Sequence, residues 1–196
     1  MKMKDELKFL QIDTSNENFL FIKLVNKKTQ KHILINEKRC HMKELVPSIQ
    51  KLLESEELVL TDLDFIALNE GPGSWTGLRI GFSTVKTFWQ VTKVKVIFYS
   101  NFELLTYKYK TDTGVFLVKS SNDKYYYQVL NKGELYGQNI ISKQELEDFY
   151  NTLPRYFFDE NEIEADSLLV EKYKNNEFPD VNSAEPYYIV EGVIFN

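Results

Sequence analysis

The sequence is poor in the residues that cross-link chains, ligate transition metals or span membranes. Its 196 residues include one cysteine, Cys40, and two histidines, His32 and His41. An intrachain disulfide is therefore impossible, and nitrogen and sulfur ligands for a metal are scarce. No apolar run approaches the roughly 20 residues of a membrane helix, and the charged residues 1–8 argue against a signal peptide. We expect a cytoplasmic protein with no cofactor, no metal and no membrane association.

Positive charge is also in short supply. The chain carries 24 Lys and Arg against 29 Asp and Glu, a formal net charge of −5. Because contacts to phosphate dominate nucleic-acid binding, such a chain is poorly suited to hold RNA alone. Its hydrophobic content of 43% and aromatic content of 14% are enough for a core, and its length fits one domain or two small lobes.

Glycine is scarce too, yet half of it lies in one short run. Four of the eight glycines fall within residues 71–81. This run follows an apolar segment, 63–68, that predicts a buried strand, and precedes an amphipathic segment, 78–91, that predicts a helix. A strand, a glycine-rich turn and a helix in this order can hold an anion or allow close packing. The glycine-loop residues singled out for this behaviour are Gly71, Gly73, Ser74, Thr76, Gly77 and Gly81.

Neither common phosphate-binding motif fits the run. The Walker pattern requires Lys and then Ser or Thr after its last glycine, but Gly77 is followed by Leu78 and Arg79. The dinucleotide pattern Gly-x-Gly-x-x-Gly also fails, because its third glycine comes one residue late, at Gly77.

Periodicity predicts the same order of elements twice along the chain. Three strands are followed by helices and another strand in each half, which divides the chain into lobes at 1–109 and 110–196. In the first lobe Pro47 interrupts a helical stripe over 42–53, which suggests that the regular helix begins later than the stripe. The predicted strands are 7–13, 19–25, 31–36, 63–68, 94–99, 115–119, 125–130, 134–139 and 187–190, and the other predicted helices are 101–109, 143–152 and 163–175.

The glycine run resembles the signature of the TsaB (YeaZ) family. That signature reads Gly-Pro-Gly-Ser-aromatic-Thr-Gly-hydrophobic-Arg-Ile-Gly, which residues 71–81 match. Residues 39–49 are similar to a second family pattern, Arg-x-His-Ser-Glu-x-Leu-x-Pro-x-Ile, with Met42 and Lys43 in place of the usual Ser and Glu. The resemblance covers about residues 7–105. Beyond these it rests on the order of elements and on 186–189, and residues 119–123 depart from the family's Asp-Ala-Arg-Arg.

The resemblance implies a fold and a function. The fold is the α/β fold of the actin/Hsp70/sugar-kinase group, which is ribonuclease H-like, with two related lobes of which the second is reduced. The function is that of a non-catalytic subunit that pairs with a TsaD-like transferase, which threonylcarbamoylates adenosine 37 of tRNA. A TsaE-like ATPase would join the pair, tRNA would be contacted only indirectly, and a homodimer would form when the partner is absent.

The same resemblance assigns partner binding to the predicted helices 42–53 and 75–90. Glycines spaced by four allow another helix to approach closely, and on general grounds packing inside the chain against helix 42–53 explains this spacing equally well. The resemblance favours pairing with the equivalent two helices of a partner. The residues expected to bind the partner are Met42, Leu45, Val46, Ile49, Leu53, Trp75, Leu78, Arg79, Phe82, Val85 and Trp89.

Three further features have alternative interpretations. Asp13, Thr14 and Ser15 occupy the place of a magnesium and phosphate site in nucleotide-binding members of the fold, but a local Asx turn is favoured. We interpret His41 as a hydrogen-bonded structural histidine. At the positions of the two metal-binding histidines of TsaD this chain has Asn101 and Leu105.

The presence of Asn101 and Leu105 at the positions of the two histidines favours a TsaB-like protein over the transferase itself. Two alternative functions stay open. One is a nucleotide-hydrolysing enzyme that uses Asp13 and the glycine loop. The other is a glycoprotease-like peptidase, against which the lack of a Ser-His-Asp or Cys-His arrangement argues.

Overall fold

A computed structural model describes residues 6–27, 29–120, 123–146, 151–158 and 165–189. The chain forms two compact units, and each is built from two separate stretches. The first contains residues 1–99 and 165–186, and the second contains residues 100–164 and 187–196. This division differs from a single boundary at 109, because the third helix groups with the second unit and a late segment returns to the first.

The first unit is organised around a five-stranded sheet. Its strand order is β3-β2-β1-β4-β5, with β1 antiparallel to β2, β2 antiparallel to β3, and β1 parallel to β4. The five strands predicted for this part of the chain are present, with ends that differ by up to three residues. The strands are β1 (Lys8–Asp13), β2 (Leu20–Asn26), β3 (Thr29–Ile35), β4 (Phe65–Gly71) and β5 (Lys95–Ser100).

Two helices, α1 (His41–Glu54) and α2 (Trp75–Thr92), cover one face of this sheet. Their inward residues join alternate residues of the strands in one core, in which the rings of Phe82 and Phe98 stack at 5.0 Å. Burial of apolar surface on this scale stabilises the unit far more than the intrinsic helix preference of either segment.

Helix α1 starts earlier than expected. It begins at His41 and continues through Pro47, so the expectation of a later start is wrong. A proline inside a helix costs about 3 kcal/mol. Here Pro47 lies on the exposed side of the helix, where water can solvate the carbonyl group that loses its partner. The burial of Leu45, Ile49 and Leu52 on the other side offsets this cost.

The opposite face of the sheet receives α5 (Asp166–Lys174), which returns from late in the chain. The Lys23 ammonium, almost completely buried, lies 2.9 Å from the Asp166 carboxylate. The ring of Phe65 stacks on Phe9 at 4.6 Å and on Tyr173 at 5.2 Å. A polar contact and an aromatic stack thus hold α5 on the sheet, although these partners are more than 100 residues apart.

The segment after α5 passes around the β5 edge to the face covered by α2. The Lys95 ammonium of β5 lies 4.5 Å from the ring of Phe178. Val181 is buried in the core beside α2, and the Lys86 ammonium donates a hydrogen bond to the Asn182 carbonyl at 3.1 Å. The segment therefore contacts both β5 and α2 of the first unit.

The second unit repeats the strand order of the first. Its sheet has the order β8-β7-β6-β9, in which β6 and β9 are parallel and the other pairs are antiparallel. This matches β3-β2-β1-β4, so the strand order recurs, although the fourth strand of the second unit is not the expected one at 187–190. The elements are α3 (Asn101–Tyr109), β6 (Gly114–Lys119), β7 (Lys124–Asn131), β8 (Glu134–Ser142), α4 (Lys143–Leu146) and β9 (Arg155–Phe157).

Three predictions for the later part of the chain need correction. Strand β9 was not predicted, because three residues are too few to show a period. Of the helix expected over 143–152, the structure describes Lys143–Leu146 as helix. Residues 147–150 lie outside the described ranges, and 151–152 form a turn. The expected strand at 187–190 is not a strand over 187–189. The Tyr187 hydroxyl instead hydrogen-bonds to the Gln138 side chain, and Val190 lies outside the described residues.

We predict that Lys23→Met lowers the free energy of unfolding by about 3–5 kcal/mol, because it leaves the Asp166 carboxylate buried without its counter-charge. Urea denaturation measures this change. The double variant Lys23→Met/Asp166→Leu should recover most of the loss. Lys38→Met, which removes the exposed ion pair between Lys38 and Glu17, should change the stability by less than about 1 kcal/mol. Equal losses in both single variants would contradict this account.

Candidate functional site: the glycine loop and the exposed faces of α1 and α2

The glycine loop packs directly on the turn that follows β1. A Cβ atom added at Gly73 would lie within 3.0 Å of the Ser15 carbonyl oxygen, and one at Gly77 would lie equally close to the Thr14 carbonyl oxygen. The Ser74 amide donates a hydrogen bond to the Ser15 carbonyl. The loop needs glycine because two stretches of backbone touch each other here.

The glycine spacing in α2 continues this contact. Gly81 lies against the Thr14 side chain and Leu68, and a Cβ atom there would again collide. Packing inside the chain therefore accounts for the spacing, but the nearest neighbours belong to the β1–β2 turn and to β4. They do not belong to α1, which corrects the expectation of packing against helix 42–53.

Asp13 connects β1 to the glycine loop. Its carboxylate oxygens accept hydrogen bonds from the Ser15 amide and the Asn69 side-chain amide, both at 2.8 Å. The side-chain Oδ1 of Asn69 accepts a hydrogen bond from the Gly71 amide at 2.9 Å. Complete burial raises the pKa of Asp13. The contact to Ser15 is an Asx turn. Asn69 was not recognised from the sequence, although a polar residue that ends an apolar strand is a usable signal.

His41 anchors α1 to the same turn. Its Nε2 atom lies 3.0 Å from the Phe19 carbonyl oxygen, and the side chain is buried. Burial lowers the pKa of His41 below its usual value, because the charged imidazolium would lose its hydration, although the Phe19 carbonyl and the Asp13 charge act in the opposite direction. The imidazole thus acts as a structural connection between the first residue of α1 and the β1–β2 turn.

The positions that correspond to a metal-binding histidine pair do not fit a metal. Asn101 and Leu105 are both buried in α3. A leucine side chain has no donor atom, and a single carboxamide is a poor replacement for imidazole. Within the described ranges, no group of three or more His, Cys, Asp or Glu residues is arranged to hold a metal ion.

Burial divides the expected partner-binding residues into two groups. One group packs in the core of this chain, so these side chains cannot also face a partner, which corrects their assignment. A helical stripe in a sequence does not distinguish a core face from a binding face, since both are apolar. The buried residues are Leu45, Ile49, Leu53, Leu78, Phe82 and Val85.

The second group lies outside the core. Met42 is 80% exposed, Val46 49% and Trp75 48%, and Arg79 is also exposed. The Arg79 guanidinium lies 4.5 Å from the centre of the Trp75 ring, one helical turn away. These four residues, on two helices that pack against each other, are here called the two-helix surface. Trp89 is only partly buried, and its ring contacts the Lys93 ammonium.

Two solved structures from Pseudomonas aeruginosa share this architecture. One is an uncharacterized protein with similarity to peptidase YEAZ, with a TM-score of 0.70, 18% identity, and 94% of this chain and 100% of that chain covered. The other is YeaZ, with a TM-score of 0.69, 19% identity, and coverage of 93% and 100%. The protein is therefore an α/β protein of the actin-like, ribonuclease H-like class.

Sequence relatives identify the family within this class. Residues 29–179 match the sequence model of the family TsaD: tRNA N6-adenosine threonylcarbamoyltransferase. Two similar proteins are both named tRNA threonylcarbamoyladenosine biosynthesis protein TsaB. The one from Buchnera aphidicola is 29% identical over 50% of this chain and 47% of that protein. The one from Haemophilus influenzae is 36% identical over 38% of this chain and 31% of that protein. The aligned part spans less than half the length of these relatives. The chain belongs to this TsaD-type family, and it is similar to the TsaB (YeaZ) proteins.

Over the described part of the chain, no helix combines the length and the apolar character needed to cross a membrane.

We predict that Gly77→Ala destabilises the protein by about 1–3 kcal/mol, because the new methyl group collides with backbone at Thr14. The matched control is Gly137→Ala on β8, where an added Cβ atom has no neighbour within 4 Å. Urea denaturation midpoints of the two variants and the wild type provide the comparison. A Gly77→Ala variant as stable as Gly137→Ala would show that the close approach is not required.

We also predict that His41 makes a contribution to stability that is lost as the pH drops below about 6.5, the usual pKa of histidine. The pKa of His41 is lowered in the folded protein, so the unfolded chain binds the proton more readily and acidification favours unfolding. In His41→Gln the loss of melting temperature between pH 7.5 and 5.5 should be smaller than in the wild type. The exposed His32→Gln serves as the control, and an unchanged pH dependence in His41→Gln would contradict the prediction.

Proposed function

We propose that this chain is a non-catalytic scaffold subunit in the synthesis of N6-threonylcarbamoyladenosine at position 37 of tRNA. It pairs through α1 and α2 with a TsaD-like transferase. The observation that carries this proposal is the exposure of Met42, Val46 and Trp75 on helices whose inner faces are already filled by the core. Large apolar side chains exposed together on a protein surface typically mark a site that a partner covers.

The chemistry of the described residues supports a role without catalysis. Asn101 and Leu105 stand at the positions of the metal-binding histidines of TsaD, and both carboxylate oxygens of Asp13 are already hydrogen-bonded inside the chain. In this proposal the TsaD-like partner transfers the threonylcarbamoyl group to adenosine, and this chain shapes and stabilises the partner. It supplies neither a nucleophile nor a metal ligand.

The proposal also includes the tRNA, an ATPase and a homodimer of this chain. With a net charge of −5, the chain contacts tRNA only through the complex, because RNA binding requires positive charge. A TsaE-like ATPase joins the pair. When the transferase is absent, a second copy of this chain covers the two-helix surface and forms a homodimer. The assembly operates in the cytoplasm. This chain contributes a larger N-terminal lobe and a smaller C-terminal lobe to it.

Size-exclusion chromatography with light scattering tests the pairing. The protein is measured alone and mixed with the TsaD homologue of the same cell. We expect a heterodimer peak to replace a homodimer peak. If the two proteins elute independently at micromolar concentrations, the scaffold role is wrong and the fold assignment is unaffected. Magnesium-dependent ATP binding that disappears in Asp13→Ala, measured by calorimetry, would instead favour the nucleotide-hydrolysing alternative.

We predict that Val46→Asp weakens pairing at least about tenfold while the protein stays folded, because a charge then has to be desolvated in an apolar contact. Leu135→Asp is the matched control, since Leu135 is similarly exposed but lies on β8 in the second unit. Circular dichroism verifies folding, and titration calorimetry gives Kd. Substituting Asp for Phe82 or Ile49 does not test pairing, because both side chains lie in the core and a charge there would destabilise the fold. Equal affinity of Val46→Asp and wild type would exclude this surface.

A further inference from the structure

Helix α1 contains a proline in its interior, on the side that faces away from the core. Pro47 is the seventh of its 14 residues. A proline nitrogen carries no hydrogen, so it cannot donate the hydrogen bond that residue 47 would otherwise give to the Lys43 carbonyl. The proline ring also pushes the carbonyl of residue i−4 away from the helix axis. The Lys43 carbonyl oxygen therefore lacks the hydrogen-bond donor that residue 47 would supply in a regular helix.

The surroundings of this carbonyl connect it to the two-helix surface. Lys43 and Pro47 are exposed. Met42 directly precedes Lys43 in sequence, and Val46 directly precedes Pro47. The Lys43 ammonium lies 3.0 Å from the Glu44 carboxylate, so this side chain is directed to a neighbour on the same helix. Because Lys43 and Pro47 are exposed, water can donate a hydrogen bond to this carbonyl as long as the surface is open.

Covering this surface changes the energetics. A carbonyl group that loses its water and gains no donor opposes binding, whereas a donor from the partner turns the same group into a specific contact. A partner that offered only apolar side chains would therefore bind against a penalty. A partner with one donor among apolar side chains would match both the carbonyl and its apolar surroundings.

We propose that the Lys43 carbonyl is a hydrogen-bond acceptor for a side-chain N–H or O–H group of the transferase subunit, and that Pro47 keeps this acceptor available. This inference rests on the proposed function, in which that subunit covers α1. The partner side chain is of the Asn, Gln, Ser, Thr, Lys or Arg type and lies among apolar residues. Proline thus weakens the isolated helix and at the same time makes pairing selective.

The test is Pro47→Ala in the full chain, because alanine restores the internal N–H and competes for the carbonyl. We expect a higher melting temperature, since alanine is the better helix residue, together with a Kd for the transferase subunit that is about tenfold higher. If Pro47 affected only the stability of α1, its replacement would not make the variant both more stable and weaker in binding. Unchanged or tighter binding would overturn the inference.

A chemically matched variant isolates the N–H group. Incorporation of the α-hydroxy analogue of alanine at position 47 keeps the alanine side chain but has no N–H, so it should bind like the wild type. If it weakens binding as much as Pro47→Ala, the proline ring and not the free carbonyl is recognised, and the inference is wrong. If only homodimer formation responds, a second copy supplies the donor and the assignment to the transferase is wrong.

Failure of the proposed function is recognised separately. In that case the wild type does not bind the transferase subunit, or Val46→Asp binds it as tightly as the wild type does. Binding that is lost in Val46→Asp but unaffected by Pro47→Ala supports the pairing surface and rejects only the role of the carbonyl.

Discussion

The backbone contact between the glycine loop and the β1–β2 turn is the constraint on which the first unit depends. Because Gly73 and Gly77 have no side chains, the start of α2 lies directly on Thr14 and Ser15. Asp13 and Asn69 then connect the ends of the parallel strands β1 and β4 beneath the loop. A glycine-rich turn between strand and helix often serves to admit a phosphate. In this protein the same geometry admits a neighbouring piece of backbone.

The position of the two helices follows from this contact. His41 holds the start of α1 to the Phe19 carbonyl, while the glycine contact holds the start of α2, so both helices begin at one turn. Their inner faces fill the core, and their outer faces present the two-helix surface. In the proposed function this apolar face contacts the partner, and helices already held by the core would lose little conformational entropy on binding.

The two units share one strand order but differ in the segments that pack on their sheets. Both sheets place an antiparallel meander beside a parallel strand, yet the glycine loop and the return of a late segment belong to the first. That return is held by Lys23 and Asp166, 143 residues apart, and by the stack of Phe65 and Tyr173. The first unit is therefore complete only when residues 165–186 are in place.

The sequence by itself determined the local structure and the family. Alternating apolar residues specify the two meanders, and the run from Gly71 to Gly81 specifies a tight turn and a helix start, because these preferences act over a few residues. The tertiary structure decided which stripe residues are core, as Phe82 and Val46 show. It also brought Asn69 to Asp13, 56 residues apart, and α5 to the first sheet. Such contacts depend on where distant segments meet, and no short-range pattern contains that information.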